Sequence, residues 1–346
     1  MPQGILSVVV AFMGGAGVVG FLGALAIFFM IIVFLHKSNN SPNTPPPFTE
    51  PPGHVSPIEP TPPTNSDPNE VHFAPTTKYS PPKIVPGKDH KYTLGAGKGR
   101  VEISVYGRSF PEDEKRYWGV KGPWLVRKFK EVSSFGAPEG FYFFVHLYID
   151  KDQFYEVIPK AEESNWAGVF CPAYNSIICD IHTTDNKDTM THEMVHALQH
   201  AAYGSLPLCL TEGMADWIAD SYTHSTRNIR QFYHSANVRV LAKQIKGKGF
   251  PDMEAYLGCV EYADWEKLLG RTWNGYCIGA MLCDYLFTHH QVWIGRALQY
   301  CHQKGDNTKE RSKAFADFVK NNWEGGYKDL DAKLQNWILH CAKTYK

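Results

Sequence analysis

Apolar residues recur at helical spacing in two consecutive stretches in the middle of the chain. Residues 189–202 (TMTHEMVHALQHAA) contain no Gly or Pro, follow a suitable helix cap at Asp188 and stop before Gly204. Residues 208–222 (LCLTEGMADWIADSY) repeat the pattern, with large apolar side chains on one side. A spacing of three and four residues is typical of a helix with one buried face, so the pattern predicts two helices here.

The same pattern predicts strands before these helices and further helices after them. Residues 141–149 are rich in aromatic and β-branched side chains, residues 100–106 alternate, and residues 168–170 and 176–181 form a predicted hairpin. Helical spacing returns in five later stretches, at residues 228–245, 273–288, 292–302, 309–321 and 330–342. The chain is therefore predicted to be an α+β protein in which a small sheet precedes a mainly helical lobe.

The N-terminal quarter differs in composition from the rest. No charged residue occurs between positions 4 and 35, and the apolar run 8–35 can cross a hydrocarbon core of roughly 30 Å, which predicts a transmembrane helix. The first three residues include no Lys or Arg, which favours an anchor over a cleaved signal peptide. Fifteen prolines between Pro42 and Pro86 predict an extended spacer. The predicted domains are an anchor (1–36), a Pro-rich disordered stalk (37–90) and a globular domain (91–346), β-rich to about 185 and helical from about 186.

Charge and cysteine content narrow the function only slightly. Lys plus Arg and Asp plus Glu each total 35, so the chain has no formal net charge. It has no basic stripe with interleaved aromatic residues and no zinc-finger cysteine spacing, so nucleic-acid binding is not expected. All eight cysteines lie in the globular part. They permit disulfides in an oxidising compartment without requiring them, and the pairing stays open.

The chemistry is concentrated in the first of the two central helices. His192 and His196 are four residues apart, so both imidazoles lie on one helix face and can bind one ion at about 2.0–2.1 Å. Glu193 directly follows His192, so its side chain lies beside the helix face that carries the two histidines. A carboxylate there can take a proton from a water molecule whose pKa zinc has lowered to about 7.

The second helix adds a third ligand. Glu212 and Asp216 are also four residues apart and share a face of that helix. Catalytic zinc binds three protein ligands and keeps a fourth position open, and two histidines with one glutamate meet that requirement. A carboxylate at Asp216 can accept the outer N–H of a ligating histidine.

At these residues the chain resembles the gluzincin metallopeptidases, and most of all the bacterial peptidase-MA-like domains. The sequence His-Glu-x-x-His at 192–196 and the Glu-Gly-x-Ala-Asp run at 212–216 carry this resemblance. It implies a zincin-like fold in which a mixed sheet packs on the His-Glu-x-x-His helix. It also implies one zinc ion held by His192, His196 and Glu212, with Glu193 activating water and Asp216 orienting a histidine.

A more distant likeness to aminopeptidase-N-like enzymes adds two expectations. Tyr276, in a Tyr-x-x-Gly sequence, matches the tyrosine that stabilises the oxyanion in those enzymes, although Ile278 replaces their usual basic residue. The alternative is that Tyr276 is a core aromatic residue. The strand before the zinc helix would pair with an extended substrate, so residues 167–170 or 176–180 would line the cleft.

Two other zinc patterns fit less well. A metzincin needs Gly and His after the second histidine, but Gln199 and Ala202 stand at those positions. His200 is eight residues from His192, about 12 Å along the helix axis, so the two cannot share one ion. His200 is therefore expected to lie around the ligands or on the surface.

These observations predict a membrane-anchored zinc hydrolase, with a peptide or protein as substrate. The Pro/Thr-rich stalk and the cysteine-bearing hydrolase domain favour an extracytoplasmic position, whereas Lys37 beside the apolar run would place the domain inside by the positive-inside rule. The oligomeric state stays open. Two alternatives remain: a binding or scaffold protein that has lost catalysis, and a metal hydrolase of non-peptide substrates. Because the ligands and Glu193 are all intact, activity is favoured over the first alternative.

Overall fold

The computed structural model describes residues 89–107, 109–133, 136–164, 166–172, 175–180, 186–222 and 236–344. The predicted anchor, and the predicted stalk as far as residue 88, lie outside these ranges. Within them, no helix combines the length and the apolar character needed to cross a membrane.

Five strands form one mixed sheet in the order β1-β2-β3-β5-β4. Strands β2, β3 and β5 run parallel, whereas β1 and β4 pair antiparallel with β2 and β5. The hairpin of β4 and β5 confirms the predicted one, and it leaves β4 at the edge of the sheet. The strand bounds are β1 (Asp89–Leu94), β2 (Val101–Tyr106), β3 (Phe143–Tyr148), β4 (Gly168–Cys171) and β5 (Ser176–Asp180).

Twelve helices occur in the described ranges, three before the hairpin and nine after it. Those of the first half are α1 (Glu112–Ser133), α2 (Lys151–Val157) and α3 (Pro159–Ser164). Those of the second half are α4 (Asn186–Tyr203), α5 (Leu208–Tyr222), α6 (Ala236–Lys248), α7 (Met253–Leu257), α8 (Tyr262–Leu269), α9 (Thr272–His289), α10 (Gln291–Lys304), α11 (Thr308–Asn322) and α12 (Gly326–Thr344). The predicted sheet followed by a mainly helical lobe is confirmed.

The two central helices agree closely with the sequence pattern. Helix α5 has the predicted bounds, and α4 begins three residues earlier and ends one later than predicted. Helices α9 to α12 begin and end within a few residues of their predicted positions. Helix α6 ends three residues after its predicted end, and residues 228–235 of that prediction lie outside the described ranges. Strand β1 begins at Asp89, within the segment predicted as stalk.

The 22-residue helix α1 was not predicted, because Gly119, Gly122 and Pro123 interrupt its sequence. These glycines serve close packing instead. A Cβ atom on Gly122 would lie 2.3 Å from the Gly99 carbonyl oxygen and 2.5 Å from Cγ2 of Val101. Helix α1 therefore approaches the turn between β1 and β2 more closely than any side chain would allow.

Helix α4 packs on β4 and β5 on one side and on α5 on the other. Helix α5 in turn packs on α9 at a crossing of two glycines. A Cβ atom on Gly213 would lie 2.3 Å from the carbonyl carbon and oxygen of Gly279. A Cβ atom on Gly279 would lie 2.7 Å from the carbonyl oxygen of Cys209. The two helix backbones are thus in direct contact, which brings the residues beside these glycines together.

All eight cysteines are free thiols, and all except the half-buried Cys171 are buried. The disulfides that the even count permitted are absent from the described ranges. The fold therefore relies on its apolar core, which runs from the sheet through α4 and α5 to α12.

Candidate metal centre

Three side-chain atoms from α4 and α5 converge on one point. Nε2 of His192 lies 2.9 Å from Nε2 of His196, and the two rings meet edge to face at 4.6 Å between centroids. Oε2 of Glu212 lies 3.3 Å from the first nitrogen and 3.4 Å from the second. The helical spacing of the histidines and the packing of α5 on α4 together produce this triangle.

The triangle has the dimensions of a zinc site. Ligands at about 2.0–2.1 Å from a tetrahedral ion are separated from one another by about 3.3 Å. The distances of 2.9, 3.3 and 3.4 Å fall close to this value. Imidazole nitrogens and a carboxylate oxygen are also the donors that zinc prefers. The residues present therefore fit a zinc ion.

The outer nitrogens of both imidazoles are held by oxygen acceptors. Nδ1 of His192 lies 2.8 Å from Oδ1 of Asp216, as the sequence predicted. Nδ1 of His196 lies 2.9 Å from Oε1 of Gln199. Each Nδ1 therefore donates to its acceptor, which directs both Nε2 atoms to the centre of the triangle.

The hydrogen bond between Gln199 and His196 was not predicted from the sequence, in which Gln199 stood out only as a departure from the metzincin pattern. The Gln199 side chain is buried, and its Nε2 donates to the carbonyl oxygen of Thr211 at 2.9 Å. This bond turns the amide oxygen towards His196. The position of Gln199 three residues after His196 on the same helix was the signal that could have identified it.

We expect Gln199→Leu to weaken zinc binding by about 10- to 100-fold, because His196 loses the acceptor that orients its ring. The measurement is a competition titration against a chelating dye. Gln335→Leu is the matched control, since the Gln335 amide binds only Asp331 on α12. Equal zinc affinity in the two variants would show that Gln199 does not orient the ligand.

The charges around the triangle favour a cation at its centre. Burial alone would lower the pKa of His192, but hydrogen bonds to Asp216 and Glu212 raise it well above its usual value. Burial would raise the pKa of Glu212, but the charges of the imidazoles outweigh it and lower this pKa. The carboxylates thus stabilise positive charge in a buried position.

Glu193 lies beside the triangle and is tied to the edge strand. One ligand atom from each of His192, Glu193 and His196 lies within 4.8 Å of the others. Oε2 of the buried Glu193 accepts the backbone N–H of Phe170 at 2.6 Å. A Cβ atom on Gly168 would lie 3.4 Å from Cγ of Glu193 and 2.9 Å from Cγ2 of Thr189, so the glycine lets β4 approach α4.

Two stacked tyrosines lie beside Glu212 and His192. The Tyr262 hydroxyl donates to Oε1 of Glu212 at 2.7 Å. The Tyr276 ring stacks on that of Tyr262, with centroids 6.0 Å apart, and lies 6.3 Å from the ring of His192. Burial, followed by the charge of Glu212, raises the pKa of both hydroxyls far above the usual value. Both therefore remain hydrogen-bond donors at neutral pH.

A cavity of about 800 Å³ opens over these residues. Its lining includes residues 166–170, which lead into and form most of β4, and Trp273 and Tyr276 of α9. Strand β4 thus lines the cleft, whereas β5 lies behind it, fully buried. His200 is in the wall as well, with its ring 5.6 Å from that of Phe170.

Comparisons with known proteins add a distant structural likeness. No family model and no curated protein matches the chain. An aminopeptidase N family protein from Idiomarina loihiensis is similar at 12% sequence identity and a TM-score of 0.29, over 70% of this chain and 42% of that chain. The chain spans less than half the length of that protein. The chemistry of the site therefore rests on its own geometry.

Proposed function

We propose that this protein is a zinc-dependent hydrolase of the gluzincin type that cleaves peptide bonds. One observation carries the proposal: three donor atoms of His192, His196 and Glu212 form a triangle of zinc dimensions, with Glu193 beside it. The pattern His-Glu-x-x-His on one helix with a Glu on the next supports the gluzincin assignment. The intact Glu193 favours catalysis over a lapsed binding protein.

In the proposed mechanism, five residues have distinct roles. Zinc, when bound by His192, His196 and Glu212, supplies a Lewis acid that polarises the substrate carbonyl and lowers the pKa of water. Glu193 accepts a proton from the attacking water and delivers it to the leaving amine. Tyr276 donates a hydrogen bond to the oxyanion, for which its high pKa keeps the hydroxyl protonated.

The edge strand supports an extended peptide as substrate. Asp180 donates its N–H to the Ala167 carbonyl at 2.9 Å, and Val169 pairs with Ile178. Antiparallel pairing alternates, so the backbone groups of Gly168 and the carbonyl of Phe170 point away from β5 and are available to a peptide, whereas the Phe170 N–H is already bound to Glu193. A peptide lying along β4 would bind these groups by strand addition.

We also propose that the domain is tethered to a membrane. The uncharged run at residues 8–35 supports an anchor, and the fifteen prolines between Pro42 and Pro86 support a stalk. The stalk supports an extracytoplasmic position. The cysteines do not support this position, because free thiols do not require an oxidising compartment.

The test is to measure the metal content of the purified full-length chain and to incubate it with a peptide library. We expect one zinc ion per chain and cleavage that is lost on chelation and restored by added zinc. Absence of zinc from the native protein would refute the proposal. Zinc without cleavage of any peptide would favour a binding protein or a hydrolase of other substrates.

A further inference from the structure

Glu212 uses its two carboxylate oxygens differently. Oε2 faces the two imidazole nitrogens at 3.3 and 3.4 Å, whereas Oε1 accepts the Tyr262 hydroxyl at 2.7 Å. The Glu212 side chain is 6% exposed, so this hydroxyl has little competition from solvent. A hydrogen bond from a neutral donor to a buried carboxylate is among the stronger ones in proteins.

The hydroxyl of Tyr262 is held in place by the start of α8. The Asp264 side chain accepts the backbone N–H groups of Val260 and Glu261 at 2.9 and 3.0 Å, which fixes the first turn. The Tyr262 ring stacks on Tyr276 and meets the fully buried Trp265 edge to face, with centroids 6.0 Å apart in both pairs. The position of Tyr262 is therefore set by the fold and does not depend on a ligand.

We propose that Tyr262 is a positioning residue that restricts Glu212 to one ligating oxygen, which keeps the fourth zinc position open for water. A carboxylate can bind a cation through one oxygen or through both. If Oε1 also bound, four protein donors would surround zinc, and a catalytic site needs only three. The Tyr262 hydroxyl prevents this by occupying Oε1. This inference rests on the proposed function.

The test compares Tyr262→Phe with Tyr256→Phe in the full-length chain. Tyr262→Phe removes the hydroxyl, with its hydrogen bonds to Glu212 and Tyr276, and keeps the ring contacts. Tyr256 belongs to the same aromatic cluster, and its fully buried hydroxyl donates to the Gly275 carbonyl at 2.8 Å, away from the ligands. A loss of stability from removing a buried hydroxyl would therefore appear in the control at least as strongly.

Two measurements are made on each variant: zinc affinity by competition titration, and the visible absorption of the Co²⁺-loaded protein, whose intensity falls as the coordination number rises. For Tyr262→Phe we expect zinc affinity lower by about 10- to 100-fold and weaker Co²⁺ absorption, with both unchanged in Tyr256→Phe.

Two results would overturn the inference. One is wild-type zinc affinity and Co²⁺ absorption in Tyr262→Phe, which would leave the proposed zinc hydrolase intact. The other is the same change in Tyr256→Phe, which would assign the effect to stability of the aromatic cluster. A wild-type protein that binds no zinc would instead remove the proposed function, and the inference with it.

Discussion

Glu193→Gln is expected to lower kcat/KM for peptide hydrolysis by about 10²- to 10⁴-fold while the chain keeps one zinc ion. The amide cannot accept the proton of the attacking water at neutral pH. Its oxygen can still accept the N–H of Phe170, which Glu193 binds at 2.6 Å, so the contact between α4 and β4 survives. The measurement is steady-state kinetics on a cleaved peptide, with zinc content determined on the same sample.

Glu266→Gln is the matched control, because Glu266 is exposed on α8 and makes the same change of charge away from the cleft. It should leave both kinetics and zinc content unchanged. Wild-type kinetics in Glu193→Gln would mean that another group takes the proton. Loss of zinc from that variant would assign Glu193 a structural role in the site.

Gly279→Ala is expected to lower the free energy of unfolding by about 3 kcal/mol, near the upper end for an overpacked core. The new Cβ would lie 2.7 Å from the Cys209 carbonyl oxygen and 3.0 Å from Cα of Gly213. Backbone atoms cannot move aside as a side chain can, so α5 and α9 must separate. Gly213→Ala should behave similarly, because its Cβ would lie 2.3 Å from the Gly279 carbonyl. Urea denaturation followed by circular dichroism measures the change.

Gly247→Ala and Gly295→Ala are the controls for this pair. Both glycines are helical, and a Cβ atom on either would have nothing within 4 Å. Alanine there should raise stability by up to about 1 kcal/mol, because it favours the helix. Equal effects in all four variants would mean that the glycine crossing is not tightly packed.

The parts of the site that the sequence predicted are those that a helix determines locally. His192 and His196 are brought together by the helical repeat alone. Glu212 and Asp216 share a face of the next helix for the same reason, and they were assigned to the site because their spacing from His196 resembles a known pattern. The relative position of α4 and α5 came from that resemblance.

The residues that were missed act between segments far apart in the chain. Tyr262 is 50 residues from Glu212, and no local pattern relates them. Gln199 is close to His196, but its orientation depends on the Thr211 carbonyl across the helix pair. Helix α1 was hidden because glycines that allow close packing look the same in a sequence as glycines that end a helix.

The backbone N–H of Phe170 makes the two oxygens of Glu193 chemically unequal. Oε2 accepts that N–H at 2.6 Å and is therefore a weaker proton acceptor than Oε1. In the proposed reaction the proton taken from water would therefore go to Oε1, and the carboxyl group so formed would have a defined geometry. Because the donor is a main-chain group on the strand that lines the cleft, proline is the residue at position 170 that would remove this asymmetry.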